Sequence, residues 1–482
     1  MPPSPIPDKL QPPPPFPPAQ LAARLPPRAP ALPGGRGRLL LFLGPAALVS
    51  VGYMDPGNWA TDLEGGARFG YQLLWVLVVS NLMALMLQTL AARLGVVTGM
   101  DLAQACRAAY PKSIVRALWL LAELAIVACD LAEVIGSALA LNMLFGLPLL
   151  WGAILTVFDV LLIFALQRRG MRPLETIIIA LVLTVAACLF YEIWLVKPWH
   201  TAALADLAPR LDNQNLYIAI GILGATVMPH NLYLHSSIVS SRRIGPSVAE
   251  KRQALRYYFI DTGIALNFAL LVNAAILVLA AAAFWGRGIV FDDIRQAQQL
   301  LAPLLGTSTA ATAFALALLC AGQSSTITGT LAGQIVMEGF LQLRIAPVLR
   351  RALTRLLALV PALLVLSIFG ERGTLPLLIA SQVVLSLQLP FAVIPLVRFT
   401  NSEALMGGFA NPRWIKILAA VVVTLIVAAN ALLVARTIDE WAAQTAWGTS
   451  LAVGLALVSL TGLAGVGLIS MKNQSARISF AG

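Results

Sequence analysis

The sequence predicts an all-α polytopic membrane protein with about 12 transmembrane helices, arranged as a 5+5 inverted repeat with broken helices 1 and 6. Three observations predict it. Of 482 residues, 59% are hydrophobic and only 11% charged, and the mean hydropathy is +0.83. The apolar residues fall into stretches of roughly 20, long enough to span a bilayer as a helix. Asp55-Pro56-Gly57-Asn58 interrupts the first stretch, and Met228-Pro229-His230-Asn231 interrupts the sixth.

Residues 1–36 hold 14 of the 30 prolines, including Pro12-Pro13-Pro14-Pro15, and predict a disordered or polyproline tail. The spans follow, centred on 38–66, 71–95, 114–144, 148–167, 173–196, 216–241, 257–285, 309–341, 356–370, 373–397, 414–435 and 449–470. The first begins near Leu39 and is too long for a cleavable signal peptide. Spans 1–5 and 6–10 are the two halves. Five is odd, so span 6 enters the membrane in the opposite sense to span 1, which requires a symmetry axis in the membrane plane. Residues 37–400 are thus the repeat core, and 401–482 hold spans 11 and 12 with a short C-terminal end.

Charge sets the orientation. With the N-terminus in the cytoplasm, 26 of the 33 Lys and Arg residues fall on the cytoplasmic side and 7 outside. Arg168, Arg169 and Arg172 lie between spans 4 and 5; Arg242, Arg243, Lys251, Arg252 and Arg256 lie between spans 6 and 7. This is the positive-inside pattern, and it places both termini in the cytoplasm. The net charge of +11 is a topology signal, not a nucleic-acid footprint. Four scattered cysteines, Cys106, Cys129, Cys188 and Cys320, match no metal spacing and read as small buried residues.

The two breaks carry the chemistry. A proline inside a helix leaves the carbonyl four residues earlier without its donor, here those of Gly52 and Ala225. Pro56, Gly57 and Pro229 are the helix-breaking residues, and Gly57 permits unusual backbone at the break. Irregular backbone at membrane depth survives only where it is buried in protein or lines a cavity, and paired breaks in two halves point to a transporter's binding site. Asp55 is a carboxylate at membrane depth, with no Lys or Arg inside spans 1 or 6 apart from Arg38 at the cytoplasmic edge of span 1. Asn58 adds a neutral oxygen, and Met228 adds a soft sulfur at the position mirroring Asp55. This mixed donor set suits a soft-to-borderline divalent metal better than Mg2+ or Ca2+.

Glu123, Asp130 and Glu133 share one face of span 3. They read either as a proton relay or as partners of a basic residue on a neighbouring helix. His230 titrates near neutral pH; a proton role is favoured over metal binding or a hydrogen bond to broken backbone. His235 belongs to the same path or is structural. The run Gly322 to Gln334 in span 8 reads as close helix packing. Gln88 and Gln382 either reach the site or tie helices together.

These two break motifs and the span 8 run resemble the Nramp family of divalent metal transporters, in its bacterial manganese-transporter branch. The likeness runs from about Leu39 through span 11. It implies proton-coupled import of Mn2+, with Fe2+ and similar ions, by alternating access on the fold shared with amino-acid transporters, in the bacterial inner membrane. It implies metal ligation by Asp55, Asn58, Met228 and the Ala225 carbonyl, with Gly52 at the matching carbonyl position and Gln382 joining in the occluded state. It implies a proton route through Asp55, His230, Glu133, Asp130 and Glu123 to a basic residue of span 9, either Arg355 or Arg351. The Pro-rich tail is outside the family pattern, and a twelfth span occurs in some members only. No enzyme activity and no bound cofactor is expected; the partners are metal ions, protons and lipid. The alternative is a sodium-coupled amino-acid transporter of the same fold. There the broken helices would offer N–H groups to a substrate carboxylate, which Asp55 would repel.

Overall fold

The computed structural model describes residues 44–159, 171–197 and 209–444, apart from 213, 242, 243, 246, 290, 292 and 344. The Pro-rich tail and span 12 lie outside the described residues. Every regular element described is helical. Span 1 is α1 (Pro45–Ser50), a 3-10 turn (Gly52–Met54) and α2 (Pro56–Phe69); each α-helix starts with proline, whose missing N–H costs nothing there. Span 2 is α3 (Leu74–Thr98), and α4 (Leu102–Ala109) follows with an Asp101/Gln104 capping box. Span 3 is α5 (Lys112–Phe145), and α6 (Leu149–Leu155) begins span 4. The left-handed Gly99 (φ 68°) and Gly146 (φ 67°) end α3 and α5, a backbone state that costs glycine nothing.

Span 5 is α7 (Met171–Val196), and span 6 is split into α8 (Leu216–Thr226) and α9 (Pro229–Ser240). Span 7 is α10 (Val248–Ala283), then come α11 (Ile294–Leu305) and span 8 as α12 (Ser308–Leu341). Spans 9 and 10 are α13 (Pro347–Phe369) and α14 (Thr374–Asn401); the short α15 (Glu403–Met406) leads to span 11 as α16 (Arg413–Gln444).

Two helices start earlier than hydropathy predicts. α10 gains a polar first stretch, nucleated by a Ser247/Glu250 capping box. α13 starts nine residues before 356, because its arginines Arg350, Arg351 and Arg355 are buried against carboxylates of α5 and not solvated. Hydropathy counts those charges as exposed and begins the span too late.

The packing is mirrored between the halves. The first piece of each broken span meets the second piece of the other, α1 against α9 and α2 against α8, so the two run antiparallel. α2 packs on α10 as α9 packs on α3, and α12 packs on α7 as α5 packs on α14. Exchanging span n for span n+5 converts each pairing into its counterpart, as the inverted repeat requires.

Two buried polar chains run through this frame. Among spans 1, 2, 6 and 7, His235 Nδ1 meets Gln88 Oε1 at 2.9 Å, and Gln88 Nε2 donates to the Tyr53 hydroxyl at 2.7 Å. Asn273 Nδ2 donates to the Tyr53 carbonyl at 2.8 Å. Asp261 of α10 also caps α1, accepting from the Ala46 amide at 2.9 Å. Among spans 3, 4, 8 and 9 the chain is ionic and lies beside the functional site.

Candidate metal centre

Both breaks place an extended residue directly before a proline. Asp55 sits at φ −69°, ψ 165° and Met228 at φ −65°, ψ 120°. Asp55 caps α2: its Oδ1 accepts from the Asn58 amide at 2.8 Å. The Gly52 carbonyl is not bare, contrary to the sequence expectation. Pro56 removes its usual donor, but the 3-10 turn brings the Asp55 amide to it at 3.3 Å. Ala225 lies buried in the last turn of α8, before Val227 leaves the helix at ψ 66°.

The breaks touch. A Cβ on Gly52 would stand 2.7 Å from Asn231 Nδ2, and that amide donates to Met228 Sδ at 3.6 Å. From α14, the Gln382 side chain lies on Gly57 so closely that any Cβ there would overlap its amide. Pro56 packs just as tightly against Gly136 of α5. Asp55, Met228 and Gln382 are completely buried and Asn58 nearly so. Buried polar atoms are normally paired, yet both amide atoms of Asn58, Gln382 Oε1, Asn231 Oδ1 and Thr226 Oγ1 have no hydrogen-bond partner among the described residues. Asp55 has no basic partner there either. A carboxylate, unmade amide bonds and a thioether form a donor set that fits a divalent ion of intermediate softness.

The span 3 carboxylates are ion-paired, which is the second of the two sequence expectations. Asp130 Oδ1 lies 2.8 Å from Arg351 and 2.5 Å from Arg355; Glu133 Oε2 lies 3.2 Å from Arg351; Glu123 lies 3.0 Å from Arg350. Arg355 also reaches Asp159 at 3.5 Å, and Gln323 of α12 donates to Asp159 at 2.9 Å. The span 8 glycines make room for this row. A Cβ on Gly329 would be 3.1 Å from Glu133 Oε1, and one on Gly333 would strike the Arg350 guanidinium.

His230 is buried, but it makes no hydrogen bond to Asp55 or Glu133, and its Nδ1 is unpartnered among the described residues. The side chain that touches both acids is Cys129, with Sγ 3.7 Å from Asp55 Oδ2 and 3.8 Å from Glu133 Oε1. Gln88 and His235 tie helices. The sequence reading passed over Arg350, Asp159 and Cys129. Four-residue spacing between Cys129 and Glu133, and the place of Arg350 directly beside Arg351 before an apolar span, were the available signals. Asp159 had the signal of the span 3 acids, a carboxylate in the middle of apolar span 4.

Known proteins resemble this chain along most of its length. A model of the family described as Nramp, natural resistance-associated macrophage protein-like, matches residues 46–436. A divalent metal cation transporter MntH of Xanthomonas campestris pv. campestris is 58% identical over 398 residues, covering 82% of this chain and 90% of that protein. One from a Nostoc species is 53% identical over 412 residues, covering 84% and 93%. A crystal structure of the Eremococcus coleocola manganese transporter superposes with a TM-score of 0.83 at 35% identity, covering 93% of this chain and 97% of that one. Mhp1, a nucleobase-cation-symport-1 family transporter, matches with a TM-score of 0.56 at 14% identity, a likeness of fold alone.

Proposed function

Because the chain belongs to the Nramp family, we propose that the paired breaks are the station at which it binds Mn2+, and also Fe2+, for proton-coupled import by alternating access. It is a multi-pass membrane transporter, not an enzyme. One observation carries the site assignment. Asp55 is a fully buried carboxylate with no basic partner among the described residues, although three arginines are buried one helix away. An unpaired buried charge is expensive, and a cation held between Asp55, Asn58, Met228 and the Ala225 carbonyl supplies the missing partner. Gln382 closes over the ion from α14. Gly52 serves in this proposal by its lack of a side chain, admitting Asn231, more than by its carbonyl.

An amino-acid substrate fits less well. The N-terminal amide of α2 that would greet a substrate carboxylate already serves Asp55.

Protons start at Asp55 in this proposal and move along the α5 row of Glu133, Asp130 and Glu123 with its arginine partners, with His230 beside the start. The metal leaves between the broken helices, so the routes diverge after Asp55. The protein resides in the bacterial inner membrane with both termini cytoplasmic. Proteoliposomes with a pH dye and a Mn2+ indicator inside test the proposal. Mn2+ entry accompanied by acidification supports it. Entry of neither, or Na+-dependent amino-acid entry, overturns it.

A further inference from the structure

We propose that Cys129 is a further metal donor of this site, giving it a second sulfur and raising its affinity for thiophilic divalent ions such as Cd2+ relative to Mn2+; this rests on the metal-site reading above. Cys129 Sγ faces Asp55 Oδ2 at 3.7 Å. In a tetrahedral centre, metal–sulfur bonds of about 2.3 Å and metal–oxygen bonds of about 2.1 Å put the two donors about 3.6 Å apart. The thiol and carboxylate are thus already spaced to chelate one ion. Cys129 also packs in one buried cluster with Met228 and with Leu385 of α14.

Independent signs of a ligand lie beside them. Both amide atoms of Asn58 and the Oε1 of Gln382 are buried without partners among the described residues, and Gln382 lies on Gly57, two residues from Asp55. As a hydrogen-bond donor the thiol does little, since its contacts to Asp55 and Glu133 are both long for a carboxylate acceptor. As a soft ligand it changes the donor set from one sulfur to two. On ligation the S–H bond breaks with its electrons left on sulfur, the sulfur–metal bond forms, and the proton passes to Glu133 Oε1, 3.8 Å away.

The test uses the purified full-length protein, titrated with Cd2+ and separately with Mn2+, following affinity and the ultraviolet thiolate-to-Cd2+ charge-transfer band. Parent, Cys129→Ser, Cys129→Ala and Asp55→Asn are compared, each with its melting temperature. The parent is expected to develop the band, and both Cys129 variants to lose it. Cd2+ affinity should fall in both by about tenfold or more, and by a larger factor than Mn2+ affinity. Asp55→Asn should lose the band although its thiol is intact, because the two donors share one ion. A band that persists in Cys129→Ser, arising from Cys106, Cys188 or Cys320, overturns the assignment, as does an equal fall in Cd2+ and Mn2+ affinity. A parent that binds neither ion overturns the metal-site reading as well, so the two failures are distinguishable.

Discussion

Asp55 and Met228 occupy the same place in two copies of one backbone break, and their chemistry differs in kind. Asp55 supplies charge, so Asp55→Asn should lower Mn2+ affinity by more than the roughly 10–100-fold that changes outside the ligand shell cost. The protein should stay folded, because Asn still caps α2. Calorimetric titration with Mn2+ checks this. Met228 supplies softness. In Met228→Ala, Mn2+ uptake should persist in part while Ca2+ begins to compete, read from radiotracer uptake with Ca2+ in excess. Both residues were legible in the sequence, since a proline in an apolar span marks its neighbours. The Gly52 hydrogen bond was not, because it depends on a 3-10 turn whose residues carry no pattern of their own. Outside the membrane, Asp101 is a buried N-cap before α4. Burial pushes its carboxyl up to about 7, and Glu338 adds to that, against the Gln104 and Ala103 amides and Arg107. Its folded-state value is thus raised above that of the unfolded chain. This contribution to stability is full below about pH 4 and is lost as pH rises through about 7. Asp101→Asn should flatten that part of a plot of melting temperature against pH.

At the scale of elements, α5 and α13 act as a unit. Asp130 is shared by two guanidiniums, so Asp130→Asn should destabilise by about 3 kcal/mol or more, leaving buried positive charge short of a partner. Simultaneous Mn2+ and pH traces at fixed membrane potential then separate its roles. A loss of acidification beyond the loss of Mn2+ entry marks a relay, and an equal loss marks a support. Gly333→Ala should push Arg350 off Glu123 and lower the melting temperature, although the exchange favours helix. The helices themselves were largely readable, because apolar length is a one-dimensional signal. The start of α13 was misread for the same reason: a charge neutralised by a neighbouring helix looks, along the chain, like a charge in water.

Across the whole molecule, spans 1, 2, 6 and 7 are tied by the His235–Gln88–Tyr53–Asn273 chain, and spans 3, 4, 8 and 9 by the arginine–carboxylate row. The inverted arrangement was legible from the parity of the spans. This division was not, since every link joins residues far apart in sequence. The proposed metal site lies where the sets meet, and Gln382 of span 10 lies over Gly57 beside it. Gly57→Ala should therefore wedge the amide away and weaken Mn2+ binding. The double variant Gly57→Ala/Gln382→Ala should recover the melting temperature lost in the single one, because the clashing atoms are gone. Non-additivity in that cycle, measured by thermal unfolding, is the check.

The thiol between Asp55 and Glu133 is a weak link between two strongly bonded groups, and this bears on how the protein fails. Cooperative units of opening follow the density of internal bonds. Under denaturant the two groups should part before either dissolves. Amides flanking the breaks at Asp55 and Met228 should then exchange with deuterium earlier than those around Tyr53 or Arg355. A transport protein jointed in this way is expected to come undone along its line of working.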